Sequence, residues 1–249
     1  MRDVLLIIAL GVGGWIIGCF INYLSDVLPR TRSFSPPVCH ECGANNSFLS
    51  IFTLKRCRAC GSLRKNRTWI VQGVCVILFP VLGYYPPDRL GFWISSVYFI
   101  YFAIVFIVDV EHRVILNEMS IAGVVLAIPL GLWMNGWQKT FIGGIAGYAI
   151  MFGLYYFGVL FNRLMAKMRG QTVEEVALGF GDVNLSGVLG LMLGWPKIGI
   201  SLFASVMLAG LLSGFYILWM LIRKRYQAFS AIPYAPFLII AAVILFYLA

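Results

Sequence analysis

Apolar runs alternate with short polar breaks along almost the whole chain. Eight apolar segments fall at about 3–27, 68–86, 90–109, 119–135, 139–162, 182–195, 197–222 and 231–248. A helix needs about 20 residues to cross a hydrocarbon core of roughly 30 Å. The sixth segment is short of that, so it is expected to tilt or re-enter. The runs are continuous and lack strand-like alternation, which predicts helices and not a barrel. The expected fold is an all-α polytopic membrane protein with about eight transmembrane helices. The first segment has no basic start beyond Arg2 and no small-residue cleavage site, so it reads as a retained span.

One stretch breaks the pattern. Residues 29–67 are polar and basic, and they divide the chain into a first helix (1–28), a small loop domain (29–67) and a membrane core (68–249). The loop holds Cys39-x2-Cys42 and Cys57-x2-Cys60, each pair followed at once by a glycine, Gly43 and Gly61. Two such knuckles bring four thiolates round one ion, and tetrahedral sulfur ligation suits zinc. The alternative is two disulfides or free thiols. A domain of about 40 residues buries little core, so a bound ion would supply much of its folding energy. His40 lies between Cys39 and Cys42, but four cysteines close a tetrahedral site without it. Cys19 and Cys75 stand alone within spans and read as small core residues.

Basic residues set the orientation. Of the 19 Lys and Arg residues, all but Arg2, Arg89, Lys139 and Lys197 fall on one side of an eight-span layout. That side should be cytoplasmic, with the cysteine loop on it and both termini outside. A reducing cytoplasm in turn favours metal over disulfides. Composition agrees with a lipid environment: 61% of the 249 residues are hydrophobic and 12% charged, against about a quarter charged in soluble domains. The net charge of +9 reflects topology and anionic lipid headgroups. No aromatic-interleaved basic surface suggests nucleic acid.

The acids number ten. Asp3, Asp88, Glu174 and Glu175 lie near ends or in loops, and Glu41 lies among the cysteines. Asp26 is placed to pair with Arg30 at the membrane interface or to support a polar site. Asp109 and Asp182 differ. Asp109 ends the apolar run YFIYFAIVFIVD, and Asp182 opens the sixth segment, both from the cytoplasmic side. Ionisable groups at membrane depth are costly and so mark function. Taken singly, each acid could be a helix cap or an interface ion pair. Two carboxyls sharing one level can hold one proton between them, one acting as base and the other polarising a carbonyl. Aspartic proteolysis is the corresponding reaction. Gly179 and Gly181 around Asp182 allow a sharp turn and a close approach, and Gly187, Gly190 and Gly194 keep a narrow helix face. A helix N-terminus at Asp182 would favour its ionised form. Glu111, His112 and Arg113 read as headgroup-level residues or as substrate-positioning groups. GVGGWIIG (11–18) lacks the third glycine of a dinucleotide loop and lies in a span.

These motifs resemble the bacterial type IV prepilin leader peptidases, intramembrane aspartic proteases of the GxGD class. The resemblance rests on GCFINYLSDVLPR (18–30), the paired CxxC motifs, VDVEHRVILN (108–117), GFGDVNLSGVLGLMLGW (179–195) and IPYAPFL (232–238), in that order. It implies that Asp109 and Asp182 are the catalytic pair and that Cys39, Cys42, Cys57 and Cys60 hold a structural zinc. It implies cleavage of the leader of prepilins or pseudopilins, at the cytoplasmic face of the bacterial inner membrane. Many cysteine-containing members also methylate the new N-terminus with S-adenosylmethionine. Leu116 stands where the first motif usually has Pro, Asn184 where Lys is frequent, and Ala235 where Gly is usual. The competing reading is a transporter that uses the two acids for ion coupling; a silent assembly scaffold is a third.

Overall fold

A computed structural model describes residues 2–39, 41–44, 52, 56–57, 59–62, 66–169, 178–223 and 233–248. His40, Glu174, Glu175, Ile232 and several of the basic residues used for orientation (Lys55, Arg58, Arg64, Lys65, Lys224 and Arg225) lie outside them. The fold is all-helical. The described residues form α1 (Arg2–Thr31), α2 (Asn66–Tyr84), α3 (Gly91–His112), α4 (Asn117–Arg169), α5 (Phe180–Leu193), α6 (Lys197–Ile222) and α7 (Ala235–Leu248). Five of these, α1 to α4 and α6, are long and apolar enough to cross a membrane, and α5 and α7 are shorter apolar helices.

The fourth and fifth apolar segments both fall in α4. Gly136 has φ 75 and ψ 166, a break that divides the 53-residue element at a kink. Only glycine adopts such a conformation at low cost. The chain folds back here: a Cβ on Gly131 would lie 2.7 Å from Thr140 Cγ2, although nine residues of straight helix rise about 13 Å. The two limbs, about 28 and 50 Å long at that rise, are the two predicted segments.

The chain divides into two compact units, Met1–Val108 and Asp109–Ala249. In the first, α1 and α2 form an antiparallel hairpin. Gly14 faces the Cys75 carbonyl, Gly18 faces the Gln72 side chain, and Tyr84 Oη donates to the Asp3 carbonyl at 3.2 Å. The glycine cluster of 11–18 is thus a helix-packing seam of small-xxx-small type. At the opposite end of the hairpin, Asn22 Nδ2 donates to Thr68 O at 3.3 Å and Arg67 pairs with Asp26 at 2.6 Å. The cysteine loop connects these two helix ends.

In the second unit α5 packs against the second limb of α4 with almost no side chain between them. A Cβ on Gly190 would run into the Gly143 carbonyl, one on Gly143 into the Gly190 carbonyl, and one on Gly147 would lie 2.5 Å from Ser186 O. Ser186 Oγ also donates to Gly147 O at 3.1 Å. Glycines permit this backbone-to-backbone approach, the chief source of helix association in lipid. Burial then stops abruptly. The last buried residue described is Met151 in α4 and Ser205 in α6, while burial begins at Asp182 in α5 and Ala235 in α7. The packed part of this unit therefore ends at the level where α5 and α7 begin.

Candidate active site and cysteine cluster

The two acids are carried by helix termini. Asp109 lies in the last turn of α3, whose end is closed by Arg113 (φ 54) donating its N–H to Asp109 O at 2.8 Å. Asp182 is the third residue of α5. Its N–H donates to Gly179 O at 3.1 Å, and its Oδ2 accepts from Gly179 N–H at 3.2 Å. This self-capping holds the carboxylate at the helix start. Asp109 Oδ2 accepts the N–H of Ala235, the first residue of α7, at 3.2 Å. Both acids are buried, 5% and 7% exposed.

The short helices explain this placement. With 14 residues each, α5 and α7 rise about 21 Å, less than a hydrocarbon core. Each points an N-terminus, worth about half a positive charge, at one carboxyl. The helix-terminus argument for an ionised Asp182 therefore applies equally to Asp109 and does not distinguish them.

Gly179 and Gly181 have different surroundings. Gly179 is exposed, with φ −76 and ψ 144, a conformation open to any residue. Gly181 lies against the segment after Asp109: a Cβ there would sit 2.7 Å from Ile115 Cβ and 3.3 Å from Ile115 N. Neither has a positive φ, so close approach, not a turn, is what requires glycine at 181. Between them Phe180 meets Tyr155 of α4 edge to face, with ring centroids 5.8 Å apart. Ala235 in place of the usual glycine leaves its N–H free to reach Asp109. Leu116 is buried and its carbonyl accepts Ser120 N–H at 3.1 Å in the first turn of α4. Glu111 and His112 contact each other at 4.0 Å.

The four cysteines of the loop form one cluster, their sulfurs all within 4.8 Å of one another. Cys39 to Cys60 is 3.7 Å and Cys42 to Cys57 is 3.8 Å. A disulfide would bring a pair to about 2.05 Å, so the disulfide alternative falls. A tetrahedral zinc with bonds of about 2.3 Å requires sulfur separations of about 3.8 Å, which these distances meet. The group could bind zinc. The two knuckles share one backbone design. Gly43 N–H donates to Cys39 O at 3.1 Å and Gly61 N–H to Cys57 O at 2.9 Å, with φ of 71 and 72 at the glycines. Ser62 Oγ lies 3.4 Å from Cys39 Sγ and 3.1 Å from Cys60 Sγ. Its hydroxyl holds both thiols below their usual range, Cys39 at about 5.

Sequence reasoning did not find the partners of these groups. Ser205 gave no signal; its Oγ lies 2.8 Å from Tyr234 Oη. Tyr234 and Ala235 lie in the quoted motif IPYAPFL, but no spacing rule assigned them a contact. Arg67, which donates to Asp26 Oδ1, is 41 residues away in sequence.

Comparison with known proteins bears out the resemblance read from the motifs. Residues 96–217, which contain both acids, match the sequence model of the type IV leader peptidase family. The chain is 27% identical over 211 residues to a protein of Myxococcus xanthus, covering 78% of this chain and 58% of that one. It is 22% identical over 273 aligned positions to one of Pectobacterium carotovorum, covering 94% and 90%. It is 32% identical over 114 residues to one of Aeromonas salmonicida, covering 46% and 32%. All three are named prepilin leader peptidase/N-methyltransferase. The chain thus spans little more than half the length of the Myxococcus relative. No solved structure matches it.

Proposed function

We propose that the chain is an intramembrane aspartic endopeptidase that removes the leader of type IV prepilins or pseudopilins. The observation that carries this reading is the pair of buried carboxyls, Asp109 and Asp182, each accepting a backbone N–H at the N-terminus of a short helix. The name of the relatives, prepilin leader peptidase/N-methyltransferase, supplies the substrate class. In the reaction, the ionised carboxylate takes a proton from water as the oxygen attacks the scissile carbonyl carbon. The protonated partner gives its proton to the carbonyl oxygen. The resulting tetrahedral diol collapses, the C–N bond breaks, and a carboxyl proton passes to the leaving nitrogen. The helix termini stabilise the negative charge that moves between the acids during these steps.

The cysteine loop is proposed to lie in the cytoplasm of a bacterial inner-membrane protein, with the acids opening to the same face. Cys39, Cys42, Cys57 and Cys60 would hold a structural zinc, which joins two knuckles that have little core of their own. Methylation of the new N-terminus, with S-adenosylmethionine as donor, is proposed from the name these relatives carry, prepilin leader peptidase/N-methyltransferase. No described residue is assigned to that donor, and no step is derived through it.

Cleavage of a prepilin in proteoliposomes tests the central reading. Asp109→Asn and Asp182→Asn, each correctly folded by thermal unfolding, should each lower turnover by at least about 10²-fold. Near wild-type cleavage by either variant would remove the dyad mechanism.

A further inference from the structure

The two cysteine knuckles repeat each other about the centre of their cluster. Cys39 N–H donates to Ala44 O at 2.9 Å, and Cys57 N–H donates to Ser62 O at 3.1 Å. Gly43 N–H reaches Cys39 O as Gly61 N–H reaches Cys57 O, with matching positive φ at the two glycines. Across the cluster, the first sulfur of each knuckle meets the second sulfur of the other. Cys39 to Cys60 is 3.7 Å and Cys57 to Cys42 is 3.8 Å. A two-fold relation therefore maps Cys39 onto Cys57, Cys42 onto Cys60 and Ala44 onto Ser62. At that last pair the chemistry differs: both residues are half-buried, but one carries a methyl and the other a hydroxyl.

The hydroxyl bridges the knuckles. Ser62 Oγ lies 3.1 Å from Cys60 Sγ in its own knuckle and 3.4 Å from Cys39 Sγ in the other. A cysteine that ligates a metal does so as a thiolate, which only accepts, so with an ion held Ser62 is the donor to this pair. Four thiolates round a divalent ion carry an excess of negative charge, and a charge-assisted O–H donor offsets part of it. Alanine at the related position gives no such donor to Cys42 and Cys57. The same relation, turned about the cluster, would set a hydroxyl at position 44 beside that second pair.

We infer that Ser62 is a positioning residue for the metal centre, whose hydroxyl ties the two knuckles together by serving one thiolate from each, Cys60 and Cys39. The inference rests on the four cysteines holding zinc, as proposed above, and not on the peptidase reaction.

Competition of the full chain in detergent against a chromophoric chelator measures the zinc affinity without any substrate. Ser62→Ala should weaken zinc by about 10- to 100-fold, the usual effect of losing a hydrogen bond to a ligand. Ser62→Thr, which keeps a hydroxyl, should restore most of the affinity. Ser62→Ala combined with Ala44→Ser moves the hydroxyl to the related pair and should recover part of the loss. Loading with cobalt gives a spectroscopic readout. A thiolate that loses its donor gives up electron density more readily, so the sulfur-to-cobalt charge-transfer band should move to lower energy in Ser62→Ala and return in Ser62→Thr. Wild-type affinity in Ser62→Ala would overturn the inference. A loss of affinity with an unmoved band, or one that threonine does not relieve, makes the serine merely structural and overturns it as well. A wild-type chain that takes up neither zinc nor cobalt removes the metal centre itself, whereas a loaded wild type matched by Ser62→Ala removes this inference alone.

Discussion

The two glycines of the GFGD segment should respond oppositely to the same change. In Gly181→Ala the new Cβ would sit 2.7 Å from Ile115 Cβ, against about 3.5–4.0 Å for carbon atoms at rest. The start of α5 or the 114–116 segment must yield by about 1 Å. Overpacking of this kind costs about 1–3 kcal/mol of stability. The functional loss should be larger, because Asp182 is the next residue and Ile115 follows Asp109 closely, so the shift separates the two acids. A misplacement of about 1 Å at a reacting group can cost about 10²-fold, or about 2.7 kcal/mol of transition-state stabilisation. In Gly179→Ala the nearest atom is Asp182 Oδ2 at 3.4 Å, the backbone conformation suits alanine, and the N–H that Asp182 accepts is kept. Its kcat/KM should stay within about two- to threefold of wild type, the range of an exposed substitution. Prepilin cleavage in proteoliposomes measures both, with thermal unfolding alongside. Adding Ile115→Gly to Gly181→Ala removes the opposing Cβ and should restore part of the lost rate. Equal losses from both alanines, or full activity in Gly181→Ala, would refute the close-approach argument.

Two further outcomes follow from the packing and the cysteine cluster. Purified protein should contain one zinc per chain, and Cys42→Ser or Cys57→Ser should lose it to mild chelators that leave the wild type loaded; metal analysis checks this, and metal-free wild type would exclude the site. Gly190→Ala drives a methyl into the Gly143 carbonyl and should lower stability by about 1–3 kcal/mol in thermal unfolding, whereas Gly210→Ala, with nothing within 4 Å of its Cβ, should not.

The membrane class, the cysteine knuckles and the two unusual acids were legible because each is a local signal. A run of apolar residues, a CxxC followed by glycine and an acid inside an apolar run all declare themselves within about 20 residues. Several readings needed more than that range. The fourth and fifth segments join in one broken helix because a single glycine, Gly136, takes a conformation that composition does not reveal. The disulfide alternative was open in sequence, since four cysteines at that spacing suit either chemistry, and only the sulfur distances closed it. The short sixth segment looked like a weak span. Its length is a consequence of starting at the acid level, where α7 also starts.

By itself the sequence determined that the chain is helical, lives in lipid, carries two CxxC knuckles and places two acids at the ends of apolar segments. Those properties follow from hydrophobic period, charge and spacing, which act along the chain. Only the tertiary structure decided which distant groups pair: the Ala235 N–H with Asp109, 126 residues away, and Tyr234 with Ser205. Hydrogen-bond partners so far apart are brought together by helix packing, and that packing depends on backbone approach at Gly143, Gly147 and Gly190. The sequence names those glycines but does not say what lies against them.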